Sequence, residues 1–169
     1  LDLSYTIISG KAVPVLAKLN GLEDLNLNNT NLQSADFSQL AKLPKLKSIN
    51  LRTTQINDNQ IKVLTTCRSI TTLDISNNSA ITDSTVWALS DMANLESVNV
   101  ANTSVTLSGL AKLSRLKRII VSNRDLKGQS LLQMRKKLPQ LELDAESQQA
   151  LKRNNPNAED MRLFAPTRY

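Results

Sequence analysis

One set of apolar positions recurs along this chain at nearly fixed offsets, and that recurrence limits the fold more tightly than any other feature. Leu22, Leu25, Leu27 and Thr30 return as Leu46, Ile49, Leu51 and Thr54, then as Ile70, Leu73, Ile75 and Asn78, then as Leu95, Val98, Val100 and Thr103. A fifth copy runs Leu116, Ile119 and Val121, with Arg124 in the last place. A truncated copy (Leu1, Leu3, Thr6) opens the chain, and a degenerate one (Leu138, Leu141, Leu143) closes the series. The first positions are 24, 24, 25, 21 and 22 residues apart. A period of this length marks a solenoid, because one such unit cannot bury its apolar face alone and must stack on its neighbours.

The rest of each unit is in register too. Two residues past the Thr/Asn position stand Ile8, Leu32, Ile56, Val105 and Leu126, and Ile81 joins them after a one-residue insertion. Six residues before each first position stand Leu16, Leu40, Leu64, Leu89, Leu110 and Leu132. Three before stand Leu19, Leu43, Cys67, Met92 and Leu113, and nine before stand Val13, Phe37, Ile61, Val86 and Leu107. All are expected in the core. In Leu-x-Leu the two leucines point to one side of a strand and the residue between them to the other. The remainder of each unit reads as helix or 3-10 turn. Asp58 and Asp83, each ahead of an apolar-periodic run, read as helix N-caps, and Pro14 suits a first helical turn.

These columns resemble the leucine-rich-repeat superfamily, whose pattern is LxxLxLxxT/N-x-L. Ile81-Thr82-Asp83 followed by Leu89, with Cys67 three residues before Ile70, resembles the cysteine-containing subclass of F-box-type adaptors, and the Thr-ended units resemble bacterial members. The resemblance covers residues 1 to about 144. It implies an α/β fold: a leucine-rich-repeat solenoid with a parallel concave β-sheet and convex helices or 3-10 segments. Residues 145–169 are expected to form a C-terminal cap helix, opened by Asp144, and a tail. Leu1 falls on a strand in mid-pattern, which raises the expectation that further repeats, another domain or a partner chain covers that edge.

Composition narrows the function. The chain has no His, one Cys and four Gly, which removes Ser-His and Cys-His arrangements, most zinc sites and a Gly-rich phosphate loop. No catalytic, cofactor-binding or metal-binding residue is assigned, and the chain is read as a non-enzyme. Cys67 occupies a core column and reads as a small buried hydrophobe. One cysteine excludes an internal disulfide and favours the cytoplasm or another reducing compartment, with a bacterial secreted, effector-like protein as the second reading. No run of about 18 apolar residues exists, so no transmembrane helix is expected. The sequons at Asn28, Asn77 and Asn102 are read as unmodified.

The expected function is a protein–protein interaction module, an adaptor or recognition domain that binds a partner protein on its concave face. The face between the leucines carries Asp24, Asn26, Asn28, Asn50, Arg52, Asp74, Asn77, Asn99, Asn102, Arg118 and Asn123, polar groups that suit a polar partner or simply keep a repeat surface solvated. Tyr5 and Ile120 break polar columns and read as contact anchors; Trp87, in a convex column, reads either as an anchor or as lying over a neighbouring helix.

Charge is uneven. Residues 1–114 hold nine Lys/Arg and nine Asp/Glu, residues 115–169 twelve and six, so the net +6 lies in the last third. Arg115, Lys117, Arg118, Arg124, Lys127, Arg135, Lys136 and Lys137 form a candidate basic patch. It offers an alternative function, docking an acidic protein, anionic lipid or nucleic acid; nucleic acid is the weakest of these because stacking aromatics are missing nearby. A third alternative is an architectural subunit of a larger assembly.

Overall fold

The computed structural model describes residues 1–122, 124, 125 and 131–154. Its frame is one six-stranded, all-parallel sheet whose strands follow one another in sequence order. The strands are β1 (Asp24–Asn26), β2 (Ser48–Asn50), β3 (Thr72–Asp74), β4 (Ser97–Asn99), β5 (Arg118–Val121) and β6 (Leu141–Leu143). The register pairs equivalent columns: Leu25 with Ile49, Ile49 with Leu73, Leu73 with Val98, Val98 with Ile119, and Ile119 with Leu141. The truncated first unit adds an isolated parallel bridge between Asp2 and Asn26.

The return halves are short. They contain α1 (Val13–Leu16), α2 (Asp58–Leu64), α3 (Asp83–Leu89), α4 (Leu107–Leu110), α5 (Leu131–Lys137) and α6 (Ala145–Asn154), with 3-10 turns at Gly10–Ala12, Leu40–Lys42 and Ala111–Leu113. Pro14 stands in the first turn of α1. Gly10 is required by a close approach, since a Cβ there would lie 2.7 Å from the Ala35 Cα.

The repeat columns fill one continuous core, from Val13 and Leu16 through Phe37, Ile61 and Val86 to Leu138 and Leu143. Cys67 is buried in it, as its column requires. The first unit departs from this: Leu1 is 49% exposed and Leu19 is 45% exposed, whereas Leu43, Cys67, Met92 and Leu113 in the column of Leu19 are buried. The first unit has no described neighbour on its outer side, so its leucine column is only half covered. Leu126 and the tail 155–169 lie outside the described residues, as does the side chain of Leu132.

The Thr/Asn column ties each turn to its strand. Thr30, Thr54 and Thr103 each donate their hydroxyl to the carbonyl three residues back, on Leu27, Leu51 and Val100, at 2.6–2.7 Å. Asn78 does so through Nδ2 to Ile75 at 3.0 Å. It also donates to Leu51 and Ser76 and accepts from the N–H groups of Thr54 and Ile56. A buried turn leaves backbone groups without water, and this column supplies their partners.

The helix starts correct one expectation. Asn57 and Thr82, not Asp58 and Asp83, are the N-cap residues. The Asn57 side chain accepts from the N–H groups of Asn59 and Gln60, and Gln60 returns a bond in a capping box; the Thr82 side chain accepts from the N–H of Ser84. The aspartates stand one residue inside, where their carboxylates reach the next repeat. Asp144 does accept from the N–H of Ser147, at 2.8 Å, at the start of α6.

Candidate functional site

The sheet face is assembled from the residue pairs that alternate with the buried strand column. Asp24 is exposed, and Asn26, Asn50, Asp74, Asn99, Ile120 and Glu142 are half-buried. Asn and Asp are poor strand formers, and here they end strands. The Oδ1 of Asn26, Asn50, Asp74 and Asn99 accepts the N–H two residues on, from Asn28, Arg52, Ser76 and Ala101, at 2.9–3.1 Å. Asp2 does the same with Ser4, whose bonds hold its carboxyl below the usual aspartate range. These are Asx turns. They explain why most strands span three residues, and they commit one acceptor of each side chain to the fold.

The column that begins at Tyr5 has a conformational meaning. Tyr5, Asn29, Thr53, Asn77 and Asn102 all have φ of +55° to +57°. Asn is the non-Gly residue best suited to that left-handed region, and a β-branched residue there is strained. Two members also bond along the stack: Asn102 donates to Asn77 at 3.0 Å, and Asn77 donates to Thr53 at 3.3 Å. Two of the three sequon amides are therefore engaged as donors, and the third sequon's Thr30 is buried. Asn123 and Lys127 lie outside the described residues. Tyr5 is 74% exposed.

Ile120 is flanked by charge. Arg118, on the same strand, donates from Nε to Glu142 on β6 at 2.8 Å. On the preceding strands, Asn99 donates to Asp74 at 2.9 Å. No local pattern singles out Glu142 as Arg118's partner, because their spacing of 24 residues becomes adjacency only through the register of β5 and β6.

The basic residues of 115–137 serve different surroundings. The Arg115 guanidinium donates to the carbonyls of Leu89, Met92 and Ala93 at the end of α3. Lys117 pairs with Glu96 at 2.7 Å, as Lys47 pairs with Glu23 three units earlier. Arg135 donates to the Leu141 carbonyl at 2.7 Å. Arg124, Lys136 and Lys137 are exposed. Trp87, on α3, is 60% exposed. Among the described residues there is no group of three His, Cys, Asp or Glu placed to hold a metal ion, and no helix is long and apolar enough to cross a membrane.

No protein-family model matches the chain, and no curated protein does. Among solved structures it is similar to an internalin, inlF, of Listeria monocytogenes strain 4b F2365, with 25% identity and a TM-score of 0.52 over 78% of this chain and 45% of that one. It also matches internalin C2 of the same strain, with 22% identity and a TM-score of 0.49 over 76% of this chain and 62% of that one. The chain thus spans less than half the length of the first and under two thirds of the second. The recurring columns, the in-order parallel sheet with helices on its return segments and the likeness to the internalin inlF, itself built of such repeats, place the chain in the leucine-rich-repeat superfamily.

Proposed function

We propose that the chain is a protein-interaction module, an adaptor or recognition domain, that receives a partner protein on the concave face of its sheet and carries out no chemistry of its own. The observation that carries this reading is the construction of that face. Its backbone is fixed by an Asx turn at the end of each of β1 to β4, so polar side chains are presented at set positions with little left to order on binding. A single apolar residue, Ile120, interrupts them beside the Arg118–Glu142 pair. A rigid polar surface with an apolar contact, here toward its β6 side, suits a recognition site, in which a few residues carry most of the affinity.

Affinity capture with the intact chain and with an Arg118→Glu, Ile120→Asp double variant of equal melting temperature tests the reading. The intact chain is expected to retain a partner that the variant loses. Retention of the same proteins by both would remove this face from consideration. Repeating the capture across a salt series separates this reading from docking of a phosphate-rich partner at residues 115–137, whose binding would fall steeply with ionic strength.

A further inference from the structure

We propose that Arg52 is the anion anchor of the concave face and receives a side-chain carboxylate from an extended segment of the partner. The proposal rests on the concave-face reading above and adds the partner's chemistry.

Three observations meet at this residue. The first is electrostatic. The other cations on the sheet face or at the start of a strand, Lys47, Lys117 and Arg118, are each held by an acid at 2.7–2.8 Å. Among the described residues, the half-buried Arg52 side chain makes no hydrogen bond and no ion pair. The acid on the adjacent strand is already committed: Asp74 Oδ1 accepts both the N–H and the hydroxyl of Ser76, and Oδ2 accepts from Asn99. Among the described residues the fold therefore gives the Arg52 guanidinium no ion-pair partner.

The second observation is rigidity. Arg52 N–H donates to Asn50 Oδ1 at 3.0 Å, its carbonyl accepts from Asn29 at 2.9 Å, and Thr53 follows at φ +55°. Only side-chain freedom is left to lose on binding. The third is relief. On the following strands the Arg52 column continues as Ser76, Ala101 and Ser122, all small and buried, which leaves the guanidinium standing at the end of a shallow floor.

A planar guanidinium with free donors takes a carboxylate in a two-bond fork, and partial burial makes that pair worth more than one at a fully hydrated surface. Nucleic acid fits less well, because it would need several unpaired cations and stacking aromatics around Arg52, and the neighbouring residues are Asn28, Asn29, Ser76 and Asn77. Arg52 and Ile120 lie three strands and two strand positions apart, roughly 16 Å by standard sheet spacings, which about five residues of extended chain would span. The expected occupant is thus an acidic residue about five positions from an apolar one.

The test is an NMR titration of the intact chain that follows the Arg52 Nε–H and the Ile120 methyl groups. The probes are a capped octapeptide carrying one Asp and, five residues on, one Leu; its Asn analogue; and dimethyl phosphate. The Asp peptide is expected to move the Arg52 Nε–H saturably, with about tenfold tighter binding than the Asn analogue. Arg52→Gln should remove that difference, while Arg68→Gln, away from the sheet, should leave it. Equal response to Asp and Asn peptides, a response to phosphate alone, or no movement at Arg52 would each overturn the proposal. If Ile120 moves while Arg52 does not, the carboxylate anchor fails and the concave-face reading stands; if neither moves, both fail.

Discussion

Asp58 in one repeat holds Thr82 in the next: its carboxylate accepts the Thr82 N–H at 2.8 Å and the Thr82 hydroxyl at 2.6 Å. The Thr85 hydroxyl donates to the same group. Asp83 repeats the arrangement one unit on, accepting the N–H and hydroxyl of Thr106 at 2.7 and 2.6 Å. Each aspartate also stands in the first turn of its helix, where the backbone favours negative charge. The clasp joins neighbouring helices across the repeat boundary. Asp58→Ala is expected to lower unfolding free energy by about 2 kcal/mol, as charged acceptors do when removed from partly buried donors. Urea denaturation would measure it, and a loss under about 0.5 kcal/mol, the usual range for a surface change, would mean the clasp is only cosmetic.

The same carboxylate sets an acid limb. Burial alone would push Asp58 up, but the bonds from Thr82 and Thr85 outweigh it and hold the group below the ordinary aspartate value. A depressed folded pKa adds stability that is complete above the unfolded value, about pH 4, and is lost as pH falls through the lower folded value. The melting-temperature gap between the natural chain and Asp58→Asn should therefore be constant near neutrality and close below about pH 4. A gap that persists at lower pH would assign the effect to shape instead of charge.

Gly109 and Asp83 should be coupled. A Cβ on Gly109 would sit 2.2 Å from Asp83 Oδ1, so Gly109→Ala has to push the carboxylate off Thr106. The expected cost is about 1–2 kcal/mol, the value of the displaced charged bonds, less the gain from Ala over Gly in a helix. In an Asp83→Ala background the obstruction is gone and Gly109→Ala should be neutral or stabilising. Additive effects across that double-mutant cycle would show that the carboxylate moves aside freely.

The clasp also shows what could be read from the sequence and what could not. The core columns were legible because burial repeats with the period of the fold, and every copy votes on the same position. Capping rules place Asp58 and Asp83 one residue too early because they look within a single helix, while these carboxylates answer to donors 24 and 23 residues away. Leu19 follows its column in sequence but has no described neighbouring unit on its outer side. Asn77 and Asn102 read in sequence as polar groups of the face, whereas the Asn enrichment of their column, with Asn29, is a signal of left-handed backbone. The pairing of Arg118 with Glu142 and the solitude of Arg52 depend on sheet register, which no local pattern encodes.

Asn78 replaces Thr in its column and carries more of the turn than the threonines do. It is buried and makes five hydrogen bonds to backbone groups of its own repeat and of the one before. Asn78→Ala would take this partner from the N–H groups of Thr54 and Ile56 and from the Ile75 carbonyl, while the Leu51 carbonyl keeps the Thr54 hydroxyl and the Ser76 carbonyl keeps the Thr53 N–H. A loss of about 3 kcal/mol is expected, against about 1 kcal/mol for Thr54→Ala, whose side chain donates one bond to Leu51. Equal losses in equilibrium unfolding would mean that the cross-repeat bonds contribute nothing beyond the shared one.

Thr53 is the least suited residue of the left-handed column. At φ +55° its branched Cβ crowds the following carbonyl, whereas Asn29, Asn77 and Asn102 hold the same backbone at less cost. Its hydroxyl oxygen accepts from Asn77 Nδ2, a bond that an Asn carbonyl oxygen can take as well, as Asn77 itself does from Asn102. Thr53→Asn should therefore raise stability by about 0.5–1 kcal/mol, and Asn77→Thr should lower it by a similar amount. Matched melts of the two variants decide the matter. Opposite signs would show that backbone strain dominates this column; a loss in both would mean that Thr53 makes a packing contribution that Asn cannot replace, and would place the strain next to Arg52 under selection for the shape of the face.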